Sequence, residues 1–157
     1  MMKNTKRPPE IILAVGLPGS GKSTYFARRK IHPLSSDALR LLLLDDATDQ
    51  SSPAAIFAAL RALLRQRVQL GRRRTYVDAT SLTPRERRPY IQIARRYDCV
   101  IRALYFDVPI EVCLERNRRR ARNVPEKALR AMARKLIGPT IEEGFSRITV
   151  VRADHSE

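Results

Sequence analysis

Nine consecutive residues, Gly16–Thr24, carry the most informative pattern of residue types in this chain. They read GLPGSGKST, which fits the Walker A phosphate-binding pattern G-x-x-x-x-G-K-[ST]. The glycines let successive backbone N–H groups turn toward a polyphosphate. Lys22 would add a positive charge at the β- and γ-phosphates, and the Ser23 hydroxyl would bind Mg²⁺. The pattern predicts a site for a nucleoside triphosphate, with ATP and Mg²⁺ expected. The predicted nucleotide-binding residues are Gly16, Pro18, Gly19, Ser20, Gly21, Lys22, Ser23 and Thr24.

A carboxylate and an arginine follow the predicted second strand. Asp37 closes the run Ser35-Ser36-Asp37, and Arg40 comes three residues later. Asp37 could accept the proton of an attacking hydroxyl, and it could also approach Mg²⁺ through water. On a helix Arg40 shares a face with Asp37, where it suits an acceptor that carries its own phosphate. The alternative is that Ser36 or Asp37 only caps the next helix, but the phosphate loop favours the catalytic interpretation.

A second acidic position ends the predicted third strand. Asp78 would face the metal and the phosphates, with or without an intervening water, and Thr80 and Ser81 would offer hydroxyls to the acceptor or to the phosphate loop. The alternative is an ordinary turn at a strand end, in which the aspartate bonds to its own backbone.

An arginine-rich segment lies late in the chain. Five arginines fall within the seven residues Arg116–Arg122. They predict a lid over residues 117–124 that stabilises the charge on a transferring phosphoryl group when it closes. Two arginines would reach the nucleotide, while the others would stay in solvent or touch the acceptor. A purely solvated basic loop is the alternative.

The charge balance of the whole chain favours polyanionic partners. The 157 residues include 31 lysines and arginines against 16 acidic residues, for a net charge of +15. Such a surface attracts nucleic acid by Coulomb steering and counterion release. The alternative is a G+C-rich genome that favours arginine codons. A further basic group is expected to be a solvated exterior. It comprises Arg61, Arg65, Arg67, Arg72, Arg73 and Arg74.

The composition of the chain argues against a membrane-spanning protein, a secreted protein and a disulfide-rich protein. No apolar run approaches the ~20 residues of a membrane span, and residues 1–9 are too polar for a secretory signal. Cys99 and Cys113 form neither a metal-binding spacing nor a disulfide framework, so a cytoplasmic, reducing location is expected.

Strand-like and helix-like segments alternate, which predicts an α/β fold with a parallel sheet. We expect one domain over residues 10–152, a disordered lead-in over 1–9 and a tail over 153–157. The long helix after Ser52 should bury Ile56, Leu60, Leu63, Leu64 and Leu70. The helix after Thr83 should be interrupted or redirected at Pro89. The predicted strands are Glu10–Val15, Ile31–Leu34, Thr75–Asp78, Cys99–Phe106 and Ile148–Val151.

Taken in order, these motifs resemble the P-loop polynucleotide 5′-hydroxyl kinases, and especially the kinase module of bacterial RNA-repair end-healing enzymes. The wider group contains zeta-toxin-like and adenylate-kinase-like P-loop kinases. The resemblance covers nearly the whole chain, from Glu10 to Arg152. The motifs that carry it are Gly16–Thr24, Ser35–Asp37 with Arg40, Asp46–Ser51, Val77–Thr80, Tyr105–Asp107 with Pro109, Cys113–Asn117, Val124-Pro125 and Glu143–Phe145. Ser81 departs from the family pattern, since many relatives have asparagine there.

The resemblance implies a P-loop NTPase three-layer sandwich with five parallel strands in the order 2-3-1-4-5. It implies that Lys22 and Ser23 bind the ATP phosphates and Mg²⁺, and that Asp37 is the general base for a 5′-hydroxyl. Arg40 would hold a phosphate of the acceptor. Arg116 and the lid residue Arg122 would grip the donor phosphates.

The expected activity is transfer of the γ-phosphoryl group of ATP to the 5′-OH end of RNA or DNA. Two alternatives stay open: a kinase for a small metabolite, sugar or antibiotic, and a nucleotide-binding regulator without transferase activity. Because the chain begins at a methionine and ends after the kinase motifs, the phosphatase and ligase modules of the repair enzymes are expected to be absent.

Overall fold

The computed structural model describes residues 7–120 and 124–153. Five parallel strands form one sheet in the order β2-β3-β1-β4-β5, which confirms the predicted fold and strand order. The strands are β1 Glu10–Val15, β2 Leu34–Ser35, β3 Arg74–Asp78, β4 Val100–Asp107 and β5 Arg147–Arg152. The helices are α1 Lys22–Arg28, α2 Ser36–Leu44, α3 Pro53–Gln69, α4 Pro84–Arg96, α5 Ile110–Arg118 and α6 Glu126–Lys135, and a short 3-10 helix spans Ile141–Glu143.

The central strand β1 is apolar along almost its whole length because both of its faces are covered. Ile11, Leu13 and Val15 pack in the core beneath α3 and α4. The alternate residues Ile12 and Ala14 belong to a cluster on the opposite face with Phe26 of α1. This alternation produces the three layers of the fold, with helices on each side of the sheet.

The helix α3 is amphipathic, but its buried face differs from the predicted one. Ile56, Leu60 and Leu64 are buried as expected, and Val68 completes the stripe. Leu63 is 41% exposed and Leu70 is 74% exposed, so these two assignments were wrong. At 3.6 residues per turn the buried positions 56, 60, 64 and 68 place the centre of the face between 60 and 64, so positions 63 and 70 fall beyond its edge.

The helix α4 continues through Pro89, contrary to the predicted interruption. A proline inside a helix costs about 3 kcal/mol because it removes a hydrogen bond and crowds the preceding turn. The next turns bury Tyr90, Ile91, Ile93 and Ala94 against the sheet. A large apolar side chain contributes about 1.5–3 kcal/mol when it is fully buried, so this packing outweighs the proline.

The carboxyl ends of the parallel strands meet at one edge of the sheet, where open α/β folds bind their ligands. The phosphate loop follows β1 at this edge, and α2 follows β2. Ser35 of β2 pairs in register with Asp78 of β3, which brings the two predicted acidic segments together. Within the described ranges, no helix is long and apolar enough to cross a membrane.

Candidate active site

The phosphate loop requires glycine at positions 16, 19 and 21, because a side chain there would clash with neighbouring atoms or would strain the backbone. A Cβ on Gly16 would lie 2.8 Å from the Ser20 Oγ, and one on Gly19 would lie 2.8 Å from the Cys113 carbonyl oxygen of α5. Gly19 and Gly21 also have positive φ angles, +82° and +98°, that other residues rarely adopt. Gly21 is the N-cap of α1, so the turn delivers the loop directly to a helix N-terminus.

Lys22 is buried at the first position of α1 and folds back over the loop. Its Nζ donates to the Gly16 carbonyl oxygen at 2.6 Å and to that of Leu17 at 3.3 Å. Burial lowers the pKa of Lys22, while the negative charges of Asp78 and Asp37 act in the opposite direction. The ammonium group therefore sits at the mouth of the loop, where a phosphate would replace main-chain carbonyls as its partner.

The residues present fit a nucleotide phosphate and a magnesium ion. Within the described residues the Ser20 Oγ is buried inside the loop and has no hydrogen-bond partner; such a group calls for an explanation, which a bound phosphate would supply. Ser23 and Thr24 are exposed at the start of α1. Among residues 7–120 and 124–153 no group of three or more His, Cys, Asp or Glu side chains could hold a metal ion. A magnesium ion here would depend on the Ser23 hydroxyl, on carboxylates acting through water and on the phosphates themselves.

Asp37 and Arg40 form an ion pair in the first turns of α2. The Arg40 Nη1 donates to the Asp37 Oδ1 at 2.9 Å; the arginine side chain is 8% exposed and the aspartate side chain 76%. The Arg40 guanidinium also lies 5.9 Å from the ring centroid of Phe57 in α3. The helix cap is Ser35, whose Oγ accepts from the Ala38 N–H at 3.2 Å. The alternative that Ser36 or Asp37 serves as the cap is therefore wrong, and the Asp37 carboxylate remains available.

The segment from Asp78 to Ser81 follows β3, next to the start of α2. Its residues differ in their contacts and burial. Burial raises the pKa of Asp78, and the charge of Asp37 raises it further, while Lys22 lowers it. The Thr80 carbonyl oxygen accepts from the Gly16 N–H at 3.2 Å, so Thr80 contacts the phosphate loop through its backbone. Ser81 is 4% exposed with φ at +49°, a left-handed conformation that asparagine adopts more readily than serine.

The arginines of the predicted lid divide into two groups. The Arg116 Nη1 donates to the Gly19 carbonyl oxygen at 3.3 Å, which places this residue against the phosphate loop. The charge of Arg120, an exposed residue, lowers the pKa of both Lys22 and Asp78, so Arg120 is near enough to act electrostatically on the site. Arg118 ends α5 and pairs with Glu115 at 3.6 Å, and Arg119 pairs with the same glutamate at 3.1 Å. Arg122, the predicted second donor-side arginine, lies outside the described residues.

Asn117 closes the base of this arginine-rich segment, a role that the sequence analysis missed. Its Nδ2 donates to the Val124 carbonyl oxygen at 2.6 Å, and its Oδ1 accepts from the Val124 N–H at 2.8 Å. The side chain is buried, and the two bonds hold the segment's ends together across seven positions. The sequence offered no local signal for this role, because Val124 lies seven residues beyond Asn117.

Arg87 was also missed, although it organises the backbone behind the site. It is fully buried and forms a two-bond pair with Glu143, at 2.8 Å from its Nε and 3.0 Å from its Nη2. Its Nη1 donates to the carbonyl oxygens of Ser81 and Ile137, both at 2.9 Å. Arg87 therefore ties the end of the Asp78–Ser81 segment to the region before β5.

The fold and the loop together define a P-loop kinase class: a parallel sheet of order 2-3-1-4-5 with a Walker A loop after its central strand. The chain belongs to the AAA domain family, whose model matches residues 11–139.

The chain is similar to kinases of several kinds. It is 26% identical to the bifunctional polynucleotide phosphatase/kinase of Schizosaccharomyces pombe, over 90% of this chain and 33% of that protein. A chain of the Pnkp1/Rnl/Hen1 RNA repair complex superposes with a TM-score of 0.70 at 25% identity, over 87% of this chain and 47% of that one. A gluconokinase from Sinorhizobium meliloti superposes with a TM-score of 0.61 at 22% identity, over 94% of this chain and 84% of that one, which shows the shared fold. The chain thus spans a third of the Schizosaccharomyces pombe protein and about half of the matched chain of the repair complex.

Proposed function

We propose that this protein transfers the γ-phosphoryl group of ATP to the 5′-hydroxyl end of RNA or DNA. The observation that carries the proposal is the Arg40–Asp37 pair, held at 2.9 Å at the sheet edge that also carries the phosphate loop. It offers a carboxylate for the proton of a hydroxyl and a guanidinium for the phosphate that follows a 5′-terminal nucleoside. The similarity to a polynucleotide phosphatase/kinase and to an RNA repair complex supports this acceptor.

The chemistry would rest on positioning and on charge. Asp37 accepts the hydroxyl proton as the acceptor oxygen bonds to the γ-phosphorus, and the bond from that phosphorus to the β–γ bridging oxygen breaks, releasing ADP. Lys22, Arg116 and Arg120 stabilise the developing charge on the phosphoryl oxygens. Ser23 would hold Mg²⁺, with Asp37 and Asp78 acting through water, and the ion would neutralise phosphate charge. The Thr80 hydroxyl would contact the acceptor.

A transfer assay with a base-deficient variant tests the proposal. Labelled γ-phosphate from ATP·Mg²⁺ is offered to a 5′-OH oligonucleotide, with Asp37→Ala protein alongside. The proposal expects transfer by the native protein, loss of transfer in the variant, and ATP binding by both. ATP binding by the native protein without transfer to RNA or DNA would refute the polynucleotide assignment.

A kinase for a small, uncharged hydroxyl compound is the second candidate. It is favoured by one observation: Arg40 is already paired with Asp37, so a phosphate on the acceptor must compete for this guanidinium. An equal rate with a neutral sugar and with a nucleoside 3′-phosphate would favour the second candidate. Strong preference for the nucleoside 3′-phosphate would favour the first.

The cellular setting is part of the proposal. Cys99 and Cys113 are both free thiols, and Cys113 is buried beneath the phosphate loop. Free thiols of this kind suit a reducing cytoplasm, where ATP and nucleic acid ends are both present.

A further inference from the structure

A basic groove lies on the outer surface of the molecule, between α3 and α4. Its volume is about 380 Å³, and three of its seven lining residues are arginines, while none is acidic. Arg61 and Arg65 come from α3, and Arg96 comes from α4. Arg61 and Arg65 are half-buried, so this is a shaped surface rather than the fully solvated exterior expected from the sequence.

The groove brings positive charges close together. Arg61 and Arg65 are one helical turn apart, a spacing at which like charges destabilise a helix. None of the three groove arginines forms an ion pair with an acidic side chain in the part of the chain that the structure describes. Arg67, two residues further on, is by contrast engaged with Thr75 and the Arg74 carbonyl oxygen. The groove arginines thus repel one another in the free protein, and a bound anion would relieve the repulsion.

Further side chains in and beside the groove could also contact a bound ligand. The Arg96 guanidinium lies 6.0 Å from the ring centroid of Tyr97, and the amide of Gln92 is exposed in the same groove. The Gln69 Nε2 donates to the Tyr97 hydroxyl at 3.4 Å, which joins this end of the groove to the C-terminal end of α3. Beyond it Arg72, Arg73 and Arg74 line a second cavity of about 570 Å³ at the amino edge of the sheet.

We propose that the α3–α4 groove binds the phosphate backbone of the same single-stranded nucleic acid whose 5′ end enters the active site. This inference rests on the proposed function. A guanidinium matches phosphate oxygens in a two-bond geometry, and arginines beside an aromatic ring are the usual components of a single-strand binding surface. Contacts of this type give affinity without reading sequence.

The position of the groove sets a length requirement on the strand. α3 begins at Pro53, near the sheet edge that carries the active site, and runs away from it. Arg61 and Arg65 follow Pro53 by 8 and 12 residues, which corresponds to about 12 and 18 Å along the helix. A dinucleotide occupies the active site alone, whereas a long strand reaches both surfaces.

The test is equilibrium binding of a fluorescent 5′-OH 20-nucleotide RNA, without ATP, to the native protein and to the variant Arg61→Gln/Arg65→Gln/Arg96→Gln. The variant is expected to bind the 20-mer at least tenfold more weakly at low salt. The slope of log K against log salt should fall by about 2, since three single-strand phosphate contacts contribute about 0.7 each. Transfer to a dinucleotide should be unchanged. The melting temperature of the free variant should be no lower than that of the native protein, because repulsion is removed.

The matched control is Arg28→Gln/Arg134→Gln/Arg147→Gln, which removes the same charge at exposed positions outside the groove. An equal loss of binding in this control would overturn the proposal, because overall charge would then explain the effect. Unchanged 20-mer binding by the groove variant would overturn it too, as would a groove-dependent preference for anionic phospholipid vesicles over RNA.

The same experiments distinguish the groove proposal from the proposed function. If the RNA binds through the groove and no phosphoryl transfer follows, the groove proposal is upheld and the proposed function fails. If transfer occurs and RNA binding does not depend on the groove, the proposed function is upheld and the groove proposal fails.

Discussion

The buried guanidinium of Arg40 holds the exposed carboxylate of Asp37 through a 2.9 Å hydrogen bond within one turn of α2. The Arg40 side chain is 8% exposed and the Asp37 side chain is 76% exposed, so a buried group positions an accessible one. Arg40 is fixed between α2 and the Phe57 ring, so it orients the carboxylate without blocking it. The Asp37 carboxylate remains open to solvent. Within the described residues the buried Arg40 Nε has no hydrogen-bond partner, so Asp37 satisfies this guanidinium only in part.

Replacing Asp37 by asparagine should remove catalysis and leave the site otherwise intact. The amide oxygen can still accept from Arg40, but it cannot take a proton at neutral pH. We expect kcat to fall about 10²–10⁴-fold, the usual contribution of a general base. Single-turnover transfer from labelled ATP measures the loss, and the ATP dissociation constant, measured separately, should change little. A kcat within tenfold of the native value would show that Asp37 is not the base.

The Asp78→Asn variant should be more stable than the native protein at neutral pH. Burial raises the folded-state pKa of Asp78 above its unfolded value of about 3.9, so stability is lost as the pH rises through the unfolded value, and the full cost is reached above the folded-state pKa. Below about pH 3.9 the carboxyl is protonated in both states, and the advantage of asparagine should disappear. Thermal melts from pH 3 to pH 8 would measure the difference. A constant difference across this range would contradict the burial argument.

The same Asp78→Asn change should weaken Mg²⁺-dependent nucleotide binding if Asp78 acts on the metal through water. Titration with ATP in the presence and absence of Mg²⁺ separates this effect from stability. A variant that is more stable yet binds ATP·Mg²⁺ less tightly is the expected outcome.

The Asn117→Ala variant should loosen the base of the arginine-rich segment. It leaves the N–H and the carbonyl of Val124 without their partners, which costs about 1–3 kcal/mol when such groups are buried. For a protein of this size we expect the melting temperature to fall by several degrees. The KM for ATP should rise, because Arg116 and Arg120 flank the anchor.

Asn117→Asp is the matched control for this anchor. It keeps the acceptor for the Val124 N–H but loses the donor to the Val124 carbonyl. Its melting temperature should lie below that of the native protein, because a carboxylate oxygen then faces the Val124 carbonyl oxygen in a buried position. Equal melting temperatures for all three proteins would show that the two hydrogen bonds contribute nothing.

The Glu143→Gln variant should destabilise the fold in a pH-dependent way. Burial pushes the pKa of Glu143 up, but hydrogen bonds from Arg87 and Thr140 hold it below its usual value. The pair therefore stabilises the fold above the unfolded pKa of about 4.3, and this contribution is lost as the pH falls through the folded-state pKa. Breaking such a pair costs about 3–5 kcal/mol, because Arg87 is left as an uncompensated buried charge. Urea melts at pH 7 and at low pH should show the difference shrinking with acidification.

A double variant, Arg87→Met/Glu143→Leu, should recover much of the stability lost in Glu143→Gln, since an apolar pair has no charge to desolvate. Failure to recover would point to the bonds from Arg87 to the Ser81 and Ile137 carbonyl oxygens as the larger contribution.

The fold was predictable because its main signals are local. The apolar run Glu10–Val15, directly before a Walker A loop, identifies the central strand, and the alternation of strand and helix gives the rest. The positions of Asp37 and Asp78 at strand ends follow from the same pattern, since parallel strands bring their carboxyl ends to one edge.

The structural partners could not be predicted, because they are distant in sequence. Arg87 stands in the run Arg85–Arg88 on an amphipathic helix, and nothing local distinguishes it from its exposed neighbours Arg85 and Arg88. Its partner Glu143 is 56 residues away. The exposure of Leu63 and Leu70 depends in the same way on which face of α3 meets the sheet.

The hydrogen bond from the Gly16 N–H to the Thr80 carbonyl oxygen affects which substitutions the protein can accept at position 80. It fastens the first residue of the phosphate loop to the end of β3 through main-chain atoms alone. The distance between the phosphate loop and the segment that follows β3 is thus set by main-chain atoms and does not depend on the side chain at position 80. A substitution at position 80 can therefore change the surface beside the phosphate loop while this main-chain contact stays in place.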